Sequence, residues 1–421
     1  MKAAEIQRTI DAIWRIESPK LIAGLARIVR DVGLAEEFAQ DALVAALERW
    51  PTAGIPDNPA AWLMATGRNR AIDRLRRKPM VERSHREIAR DLDAEQETVV
   101  EVADAALDDD IGDDLLRLIF TACHPLLPTE GRVALTLRLI GGLTTEEIGR
   151  AFLTAEPTIA QRIVRAKRTL AEAHVPFEVP RGAERAPRLA SVLEVVYLIF
   201  NEGYTATAGE DWMRPQLCEE ALRLGRILAG LAPDEPEVHG LVALMEIQAS
   251  RFGARTGPSG EPILLLDQDR ARWDRLLIGR GLTALARAEA LGGANGPYAL
   301  QAAIAACHAR ALTAEATDWK RIAALYKSLA ELTPSPIVEL NRAVALAFAD
   351  GPGTALALVD TLRDEPSLKA YPLLPGVRGD LLFRLGRLAE AKVEFERAAS
   401  LTRNERQKAL LLGRAAACVD P

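Results

Sequence analysis

The scarcity of strand patterns most limits the fold of this 421-residue chain. Helix formers such as Ala, Leu, Arg and Glu dominate, and hardly any run of β-branched residues alternates with polar ones. The pattern therefore predicts an all-α protein. Because the chain is too long for one hydrophobic core, we expect two or more domains. Hydrophobic residues make up 49% of the chain and charged residues 27%, which are ordinary values for a globular protein.

The cysteines argue against a secreted protein and against a zinc site. Cys123, Cys218, Cys307 and Cys418 stand far apart, with no CxxC pair and no His at ligand spacing. We expect buried thiols in a reducing compartment, without a metal or a cofactor. No stretch reaches the ~18 uninterrupted apolar residues that a membrane span needs, and no apolar signal segment opens the chain. These observations predict a cytoplasmic protein without a membrane partner.

Charge is unevenly distributed, although the formal net charge is only -6. Residues 68–90 hold nine Arg or Lys against three acids. Residues 91–114 hold eleven carboxylates and no basic residue. Since like charges repel one another, the second segment favours an extended conformation and predicts an acidic linker.

The segment AAWLMATGRNRAIDRLRRK, residues 60–78, predicts a helix with three faces. The predicted inward face consists of Ala61, Ala65, Ile72 and Leu75. The polar face consists of Trp62, Asn69, Asp73 and Arg76, and the cationic face of Arg70, Arg74 and Arg77. A row of arginines suits phosphate contacts, and an indole or amide beside it suits contact with a base. For this segment alone, the alternative is a solvated charged face with a core tryptophan.

The segments LTTEEIGRAF and TIAQRIVRAKRTL predict a helix-turn-helix. Thr144 and Glu147 have the spacing of a capping box, which satisfies free amides at a helix start. The second helix is predicted to bury Ile159, Ile163, Ala166 and Leu170. Its outer side carries Thr158, Gln161, Arg162, Arg165 and Arg168, which are residue types that contact bases and phosphates. The alternative is an ordinary helical hairpin.

Together, these motifs resemble the bacterial RNA polymerase sigma factors of the extracytoplasmic-function group, in the sigma-70 family. AEEFAQDALVAALERW (35–50) and PAAWLMATGRNRAIDRLRR (59–77) resemble the domain that binds core polymerase and the minus-ten promoter element. The helix-turn-helix resembles the domain that reads the minus-thirty-five element. The resemblance covers residues 1 to about 175 and implies a non-catalytic subunit whose partners are core RNA polymerase and promoter DNA.

Some residues take roles by this resemblance. Those assigned to core polymerase are Gln40, Asp41, Leu43, Leu47 and Glu48. Those assigned to the minus-ten element are Trp62, Asn69, Arg70, Asp73, Arg74, Arg76 and Arg77. Those assigned to the minus-thirty-five element are Thr158, Gln161, Arg162, Arg165 and Arg168.

Each assignment has a plainer alternative or a complication. The apolar side of the 35–50 helix could pack only into the core of its own domain. That alternative applies to Leu43 and Leu47 more than to Gln40, Asp41 and Glu48. Asp73 could be an intrahelical ion-pair partner. The loop PTAGIPDNP (51–59) matches the place where the family holds a flipped promoter base. In FLTAEPTI, the turn is one residue longer than the family's pattern and puts Pro157 in the first helical turn, so the docking register of the second helix stays open.

These patterns predict five segments along the chain. They are a first sigma domain at 1–90, the acidic linker at 91–114, a second sigma domain at 115–175, a Pro/Gly linker at 176–187 and a helical extension at 188–421.

The extension contains a repeat. DGPGTALALVDTL (350–362) aligns with LGRLAEAKVEFERA (385–398) at an offset of 36, close to the tetratricopeptide period of ~34. The alignment sets Ala355 on Ala391 and Val359 on Phe395 and predicts tetratricopeptide-like repeats near 336–415. Such helix stacks bind proteins or peptides. The extension resembles that of a sigma subgroup associated with small DGPF-type proteins, which implies such a partner.

Two other classes of function remain open at this point. A stand-alone helix-turn-helix regulator or a tetratricopeptide scaffold would share some of these features. An enzyme would need scattered polar residues to converge, and its candidates are Glu202, Asp211, His239, Asp267 and Asp269. No nucleophile elbow, phosphate loop or HExxH motif supports that reading. Cys123 and His124 could form a metal-binding or catalytic pair, or serve as core residues.

Overall fold

The computed structural model describes residues 3–83 and 111–418, and within them the fold is all-α, as predicted. The chain divides into two compact units, Met1–Val196 and Tyr197–Pro421. The helices of the first unit are α1 (Ala3–Val29), α2 (Val32–Ala53), α3 (Pro59–Arg83), α4 (Ile111–Ala122), α5 (Thr129–Leu139), α6 (Thr145–Ala151) and α7 (Glu156–Glu172). The boundary between the units falls inside α8 (Arg185–Tyr204), which follows a short 3₁₀ helix, Gly182–Glu184.

The first three helices pack against one another around a shared apolar core. Asp31 starts α2 by accepting hydrogen bonds from the amides of Gly33 at 2.7 Å and Leu34 at 3.0 Å. Gly54, with a φ of 87°, ends α2 in a conformation that favours glycine. The chain can therefore turn at once into the loop that precedes α3.

The predicted inward face of α3 is wrong. Ala61 and Ala65 are exposed, whereas Leu63 and Ala71 are buried. Gly67 lies close to both neighbouring helices, because a Cβ there would lie 3.0 Å from a methyl carbon of Leu25 on α1 and 3.5 Å from the Phe38 carbonyl oxygen on α2. The positions of α1 and α2, rather than the apolar periodicity of α3, determine which face is buried. The side chain of Leu75 lies outside the described residues.

The helix-turn-helix forms as predicted. The Thr144 hydroxyl accepts from the Glu147 amide at 3.1 Å, and the Glu147 carboxylate accepts from the Thr144 amide at 2.8 Å, so the capping box is confirmed. Pro157 lies in the first turn of α7. The predicted inward residues of α7 are all buried, namely Ile159, Ile163, Ala166 and Leu170. These contacts fix which side of α7 faces solvent.

The first part of α8 is fastened to α4 and α5. Ser191 Oγ donates a 2.6 Å hydrogen bond to the carbonyl of Cys123, and Arg132 Nη1 donates to Ser191 Oγ at 2.6 Å. Arg132 also pairs with Glu194 at 2.9 Å, and Arg188 donates to the Phe120 carbonyl at 3.0 Å. Residues beyond 187 therefore contribute to the core of the helix-turn-helix region.

The second unit continues as a succession of helices, most of which pack against their neighbours in sequence. They are α9 (Pro215–Leu231), α10 (Pro236–Ala249), α11 (Arg275–Ala290), α12 (Pro297–Arg310), α13 (Trp319–Leu332), α14 (Pro336–Ala349), α15 (Pro352–Thr361), α16 (Leu373–Arg384), α17 (Leu388–Leu401) and α18 (Glu405–Ala416). Two short strands, β1 (Ala208–Gly209) and β2 (Arg403–Asn404), pair in parallel.

The sequence repeat corresponds to equivalent places in two helices. Ala355 on α15 and Ala391 on α17 are both completely buried, as are Val359 and Phe395. All four belong to one apolar cluster, so the alignment matches positions that perform the same packing role.

The four cysteines are free thiols and are buried, as predicted. Among the described residues, we find no helix with both the length and the apolarity of a membrane span.

Candidate nucleic-acid interface

The outer face of α7 presents the polar residues that the sequence assigns to DNA. Four of the predicted side chains are exposed and one, Arg162, is half-buried; the exposed ones are Thr158, Gln161, Arg165 and Arg168. Arg168 makes only a 3.6 Å, solvent-exposed ion pair with Glu172. Ala155 starts α7 without a side-chain cap. Pro157 has no amide N–H, and the Thr158 amide donates to the Ala155 carbonyl at 2.9 Å. The Thr158 hydroxyl and the nearby arginines are therefore the groups here that suit contact with a phosphate.

The polar side of α3 forms a second candidate surface. Asn69, Arg70, Asp73 and Arg74 are exposed along one side of the helix. Trp62 is half-buried and packs edge-on against Trp50, with ring centroids 5.3 Å apart. Arg76 and Arg77 lie in α3, but their side chains fall outside the described residues.

A cavity of about 380 Å³ lies between α1 and α3, beside the loop expected to hold a flipped base. Its lining combines the apolar side chains of Leu63 and Met64 with Asn58 and with charged side chains of both signs, namely Glu17, Lys20, Arg27, Arg68 and Asp114. Lys20 pairs with Glu17 at 3.5 Å and Arg27 with Asp114 at 3.3 Å. Asn58 is held in place because its Oδ1 caps α3, accepting from the Ala61 amide at 3.0 Å. Apolar walls with a few polar groups are typical of small-ligand sites, and a base is a ligand of that kind.

The residues assigned to core polymerase lie along α2 with mixed exposure. Glu48 is exposed, and Gln40, Asp41, Leu43 and Leu47 are half-buried. The fully buried positions of this helix are others, among them Phe38, Ala42 and Ala46. The structure therefore leaves part of each assigned side chain accessible to a partner.

A buried carboxylate joins the region of α2 to the helix-turn-helix, and sequence reasoning missed it. Glu36 is only 3% exposed. Arg138 Nε on α5 donates to its Oε1 at 2.7 Å, and Lys167 on α7 forms an ion pair with its Oε2. Gln40 Nε2 donates to the same carboxylate at 2.9 Å. We call these four residues the Glu36 cluster. The signal that could have revealed it is an acidic residue among the otherwise apolar buried residues of α2.

Three of the five candidate residues for an enzyme have separate structural roles. Glu202 pairs with Arg214, Asp269 accepts from the Ala271 amide at 2.9 Å, and a His239 ring nitrogen lies 2.8 Å from the Pro233 carbonyl. Over residues 3–83 and 111–418, no group of three or more His, Cys, Asp or Glu could hold a metal ion.

The Cys123 and His124 pair consists of two groups held uncharged by their surroundings. Burial raises the pKa of the Cys123 thiol to about 11, so the thiolate that a nucleophile or a metal ligand requires is disfavoured. Burial also lowers the pKa of His124 to about 4. Cys123 Sγ lies 3.2 Å from Thr136 Oγ1, and His124 Nδ1 accepts from the Leu126 amide at 3.1 Å. These contacts favour the alternative of core residues.

Comparison with known families divides the chain in the same order as its motifs. The sigma-70 region 2 family matches residues 14–79, and the sigma-70 region 4 family matches residues 117–170. A family of unknown function, DUF6596, matches residues 188–289.

Whole proteins also align with this chain. An uncharacterized protein of Rhizobium meliloti (strain 1021) is 44% identical over 394 residues, which cover 93% of this chain and 92% of that protein. The ECF RNA polymerase sigma factor SigK of Mycobacterium ulcerans (strain Agy99) is 33% identical over 151 residues, 35% of this chain and 75% of that protein. The crystal structure of yeast Tom70 aligns with a TM-score of 0.37 and 11% identity over 99% of this chain and 85% of that one, a likeness too low to support an argument.

The region 2 and region 4 families match in the order that the motifs predicted, and the Mycobacterium ulcerans sigma factor is matched over 75% of its own length. These matches agree with the exposed polar faces of α3 and α7. The chain belongs to the sigma-70 family of RNA polymerase sigma factors, in the extracytoplasmic-function group, and carries a helical extension after its region 4.

Proposed function

We propose that this protein binds core RNA polymerase, directs it to promoters and helps to melt them. The observation that carries the proposal is the pair of exposed, arginine-bearing helix faces on α3 and α7, within segments that match regions 2 and 4. The chemistry of RNA synthesis belongs to the polymerase, and this subunit supplies binding and position. We also infer that it works in the cytoplasm, where its partners are.

On α3, the arginines contact the phosphates of the minus-ten region and favour the single-stranded state. Phosphate contacts fix register and orientation, whereas base edges or unstacked bases carry sequence information. Asn69 and Trp62 are the base-contacting candidates on this side, and the cavity beside Asn58 receives a flipped base. The negative charges of the acidic segment 91–114 suit a positively lined channel of polymerase. Residues 91–110 of this segment lie outside the part of the chain that the structure describes.

On α7, Arg162 and Arg165 read base edges of the minus-thirty-five element in the major groove. Arginine is the commonest reader of guanine and glutamine of adenine, which gives Gln161 the same role. Thr158 lies in the first turn of α7, where its hydroxyl holds a phosphate. Arg168 contacts the phosphate backbone of the DNA from a position further along α7.

For the extension, we propose a protein-binding, regulatory role. Its consecutive helices and the matched core positions of α15 and α17 are features of stacks that bind peptides or proteins. A small DGPF-type protein as its partner stays a prediction from the resemblance alone.

A gel-shift experiment with labelled promoter DNA tests the proposed function. The protein should shift promoter DNA efficiently only when core polymerase is added, and the complex should support run-off transcription. A stand-alone regulator would shift DNA without core polymerase, and a scaffold or an enzyme would shift it in neither case. Either of these results would refute the proposal.

A further inference from the structure

The loop that joins α10 to α11 in the second unit, residues 250–274, carries three arginines that are buried or half-buried. Arg255 is 5% exposed and Arg270 6%, and Arg251 is half-buried. The loop is ordered, and its regular structure consists of short 3₁₀ helices. Ordered loops longer than ~12–15 residues are uncommon in compact domains and usually have a function. This loop is therefore a place to look for a binding site.

Two of the arginines fasten the loop to neighbouring helices. Arg255 Nη1 donates to the carbonyl of Tyr204, the last residue of α8, and its Nη2 donates to Thr205 Oγ1 at 3.0 Å. Arg270 Nη1 donates to the carbonyl of His308, near the end of α12, at 2.7 Å. All of these acceptors are neutral. The bonds hold the loop in place but do not compensate the charges of the two cations.

Arg251 has hydrogen-bonding capacity to spare. Its Nη2 donates to Tyr204 Oη at 2.5 Å and to Gln248 Oε1, which are again neutral acceptors. Its Nε is buried and has no hydrogen-bond partner in the part of the chain that the structure describes. A guanidinium group has five N–H donors in a fork that matches the oxygens of a carboxylate or a phosphate. Arg251 can therefore bind such a group and keep its present contacts.

The three guanidinium groups lie close enough to repel one another. Burial, and in addition the positive charge of Arg251, lowers the pKa of Arg255 to about 10 and also lowers the pKa of Arg270. Within residues 3–83 and 111–418, none of the three pairs with a carboxylate at 4.0 Å or less. The acid whose charge acts on Arg270 is Glu315, which is exposed. Because buried charge is costly without a counter-charge, this place favours a negatively charged group.

Further N–H donors beside Arg251 are also unpartnered. Trp273 is 3% exposed, and neither its Nε1 nor Arg270 Nε has a partner among the described residues. The guanidinium carbons of Arg251 and Arg270 lie 5.8 and 5.0 Å from the centroid of the Trp273 ring. Buried donors in native proteins nearly always have an acceptor. Several unpartnered donors around one ring therefore suit a ligand that brings several acceptor oxygens.

We propose that this loop forms an oxyanion site, in which Arg251 binds the phosphate or carboxylate group of a small ligand. Trp273 Nε1 and Arg270 Nε donate to the same group, and Arg255 contributes positive potential. A small ligand fits better than a segment of a protein, because these side chains are buried or half-buried. The inference goes beyond the function proposed above, since the site requires neither polymerase nor promoter DNA.

The test follows the indole N–H signals of the full chain by ¹H–¹⁵N NMR while an anion is added. Inorganic phosphate and citrate are the probes, and each is compared with potassium chloride at equal ionic strength, because salt alone screens charge. Trp273→Phe identifies the Trp273 signal by its loss. Phosphate, citrate or both should move that signal to saturation, and chloride should not. The probe that binds more tightly identifies the preferred oxyanion group.

Variants at Arg251 test whether it reads the anion. Arg251→Gln removes the cation and should weaken binding about tenfold or more, the usual effect of losing a charged hydrogen bond. Arg251→Lys keeps the charge without the planar fork and should weaken binding less. Arg363→Gln makes the same change as the first variant at an exposed position elsewhere in the second unit and should leave binding unchanged. Circular dichroism checks that each variant keeps its helical content.

Three results would overturn the inference. The first is that neither phosphate nor citrate moves the Trp273 signal to saturation, which would leave the arginines as anchors of the loop. The second is that Arg251→Gln or Arg251→Lys, with normal helical content, binds as tightly as Arg363→Gln. The third is that a polyglutamate peptide binds where phosphate and citrate do not, because the occupant would then be a protein segment. A failure to bind core polymerase would refute the proposed function and would not alter these titrations.

Discussion

Arg70 Nη1 lies 3.0 Å from Asp41 Oδ2, so an ion pair connects the helix assigned to DNA with the helix assigned to polymerase. Both side chains keep more than 40% of their exposure, at 45% and 43%. Exposed pairs of this kind contribute only about 0.2–1 kcal/mol. Arg70 can therefore leave Asp41 for a phosphate at little cost, and the two residues should respond differently to substitution.

Substitution of Arg70 and Arg74 by Ala should reduce open-complex formation while core binding stays near its normal level. Both side chains are exposed on α3, outside the domain core, and by our proposal they contact DNA phosphates. Permanganate reactivity of unpaired thymines measures melting, and a pull-down measures core binding. Asp41→Asn should show the opposite pattern, with weaker core binding. Normal melting by the double Arg variant would remove α3 from the proposed promoter surface.

Arg165→Ala should weaken promoter binding by about 1–3 kcal/mol and relax the preference at one base position. The side chain is exposed on the outer face of α7 and lies away from the buried residues of that helix. Binding of the polymerase complex to a set of single-base promoter variants measures both effects. Arg363→Ala, an exposed charge in the extension, serves as the matched control. An equal loss on every promoter variant would reassign Arg165 to a phosphate contact.

Arg132→Met should destabilise the packing of α4 and α5 by roughly 1.5–3 kcal/mol, the range for hydrogen bonds that involve a charged group. Arg132 is 8% exposed and bonds Ser191, Glu194 and Thr129, so its loss removes two of the contacts that hold the start of α8. Amide hydrogen exchange along α4 and α5 measures the change, with Arg363→Met as the control.

The Arg132 contacts also affect how the extension should be tested. A chain cut after residue 180 would lack Ser191 and Glu194, so loss of its activity would report damage to region 4 packing. If exchange in α4 and α5 is unchanged in Arg132→Met, the Arg132 contacts do not stabilise this packing. A cut at 180 would still remove the bonds from Ser191 to the Cys123 carbonyl and from Arg188 to the Phe120 carbonyl.

Acid should destabilise the protein through His308. Burial, followed by the charges of Arg251 and Arg270, lowers the pKa of His308 to about 3. In the unfolded chain its pKa is about 6.5. Below pH 6.5 the unfolded state takes up the proton first, so the stability present above pH 6.5 declines as the pH falls towards 3. One histidine of this kind costs about 2 kcal/mol at pH 5, at about 1.4 kcal/mol for each pH unit.

Replacement His308→Phe tests this pH dependence. Phe keeps a ring at the position where His308 meets Trp319 edge-on, with centroids 5.1 Å apart, and removes the titrating group. Urea unfolding of both chains at several pH values should show the unmodified protein losing stability relative to the variant below pH 6.5. A difference in stability that stays constant from pH 7.5 to 5 would show that His308 does not titrate with unfolding.

The native thiols should react with Ellman's reagent only after unfolding. All four are buried, and burial raises the pKa of Cys123 to about 11 and that of Cys218 to about 12, which disfavours the reactive thiolate. Four thiols per chain should appear in denaturant. The exposed Ala53→Cys variant, which should react at once, provides the control. Rapid reaction of any native thiol in the folded protein would contradict its buried position.

Much of the local structure could be predicted because it depends on neighbouring residues. The capping box of α6 requires only Thr144 and Glu147, three positions apart. The buried side of α7 follows from its own periodicity, because helices on one side cover a regular stripe. The equivalence of Ala355 and Ala391 was visible because a repeated helix pair reuses the same packing positions.

The face of α3 shows where such reasoning fails. Its apolar residues are spread around the helix, so periodicity predicted Ala61 and Ala65 inward, while contact with α1 and α2 buried Leu63 and Ala71. The close approach at Gly67 decides that rotation, and it depends on residues in two other helices. The assigned DNA residues Asn69, Arg70 and Arg74 stayed exposed, because charged side chains lose hydration when buried without partners.

The sequence by itself determined that the chain is helical, where its helix-turn-helix begins, and which polar side chains a partner can reach. Those properties follow from local propensity, capping and the cost of burying charge. Only the tertiary structure decided that Glu36 becomes a buried anion and that the start of α8 completes the packing of α4 and α5. Glu36 meets Arg138 across 102 positions of the chain, and a contact of that separation depends on how whole helices pack rather than on any pattern within one of them.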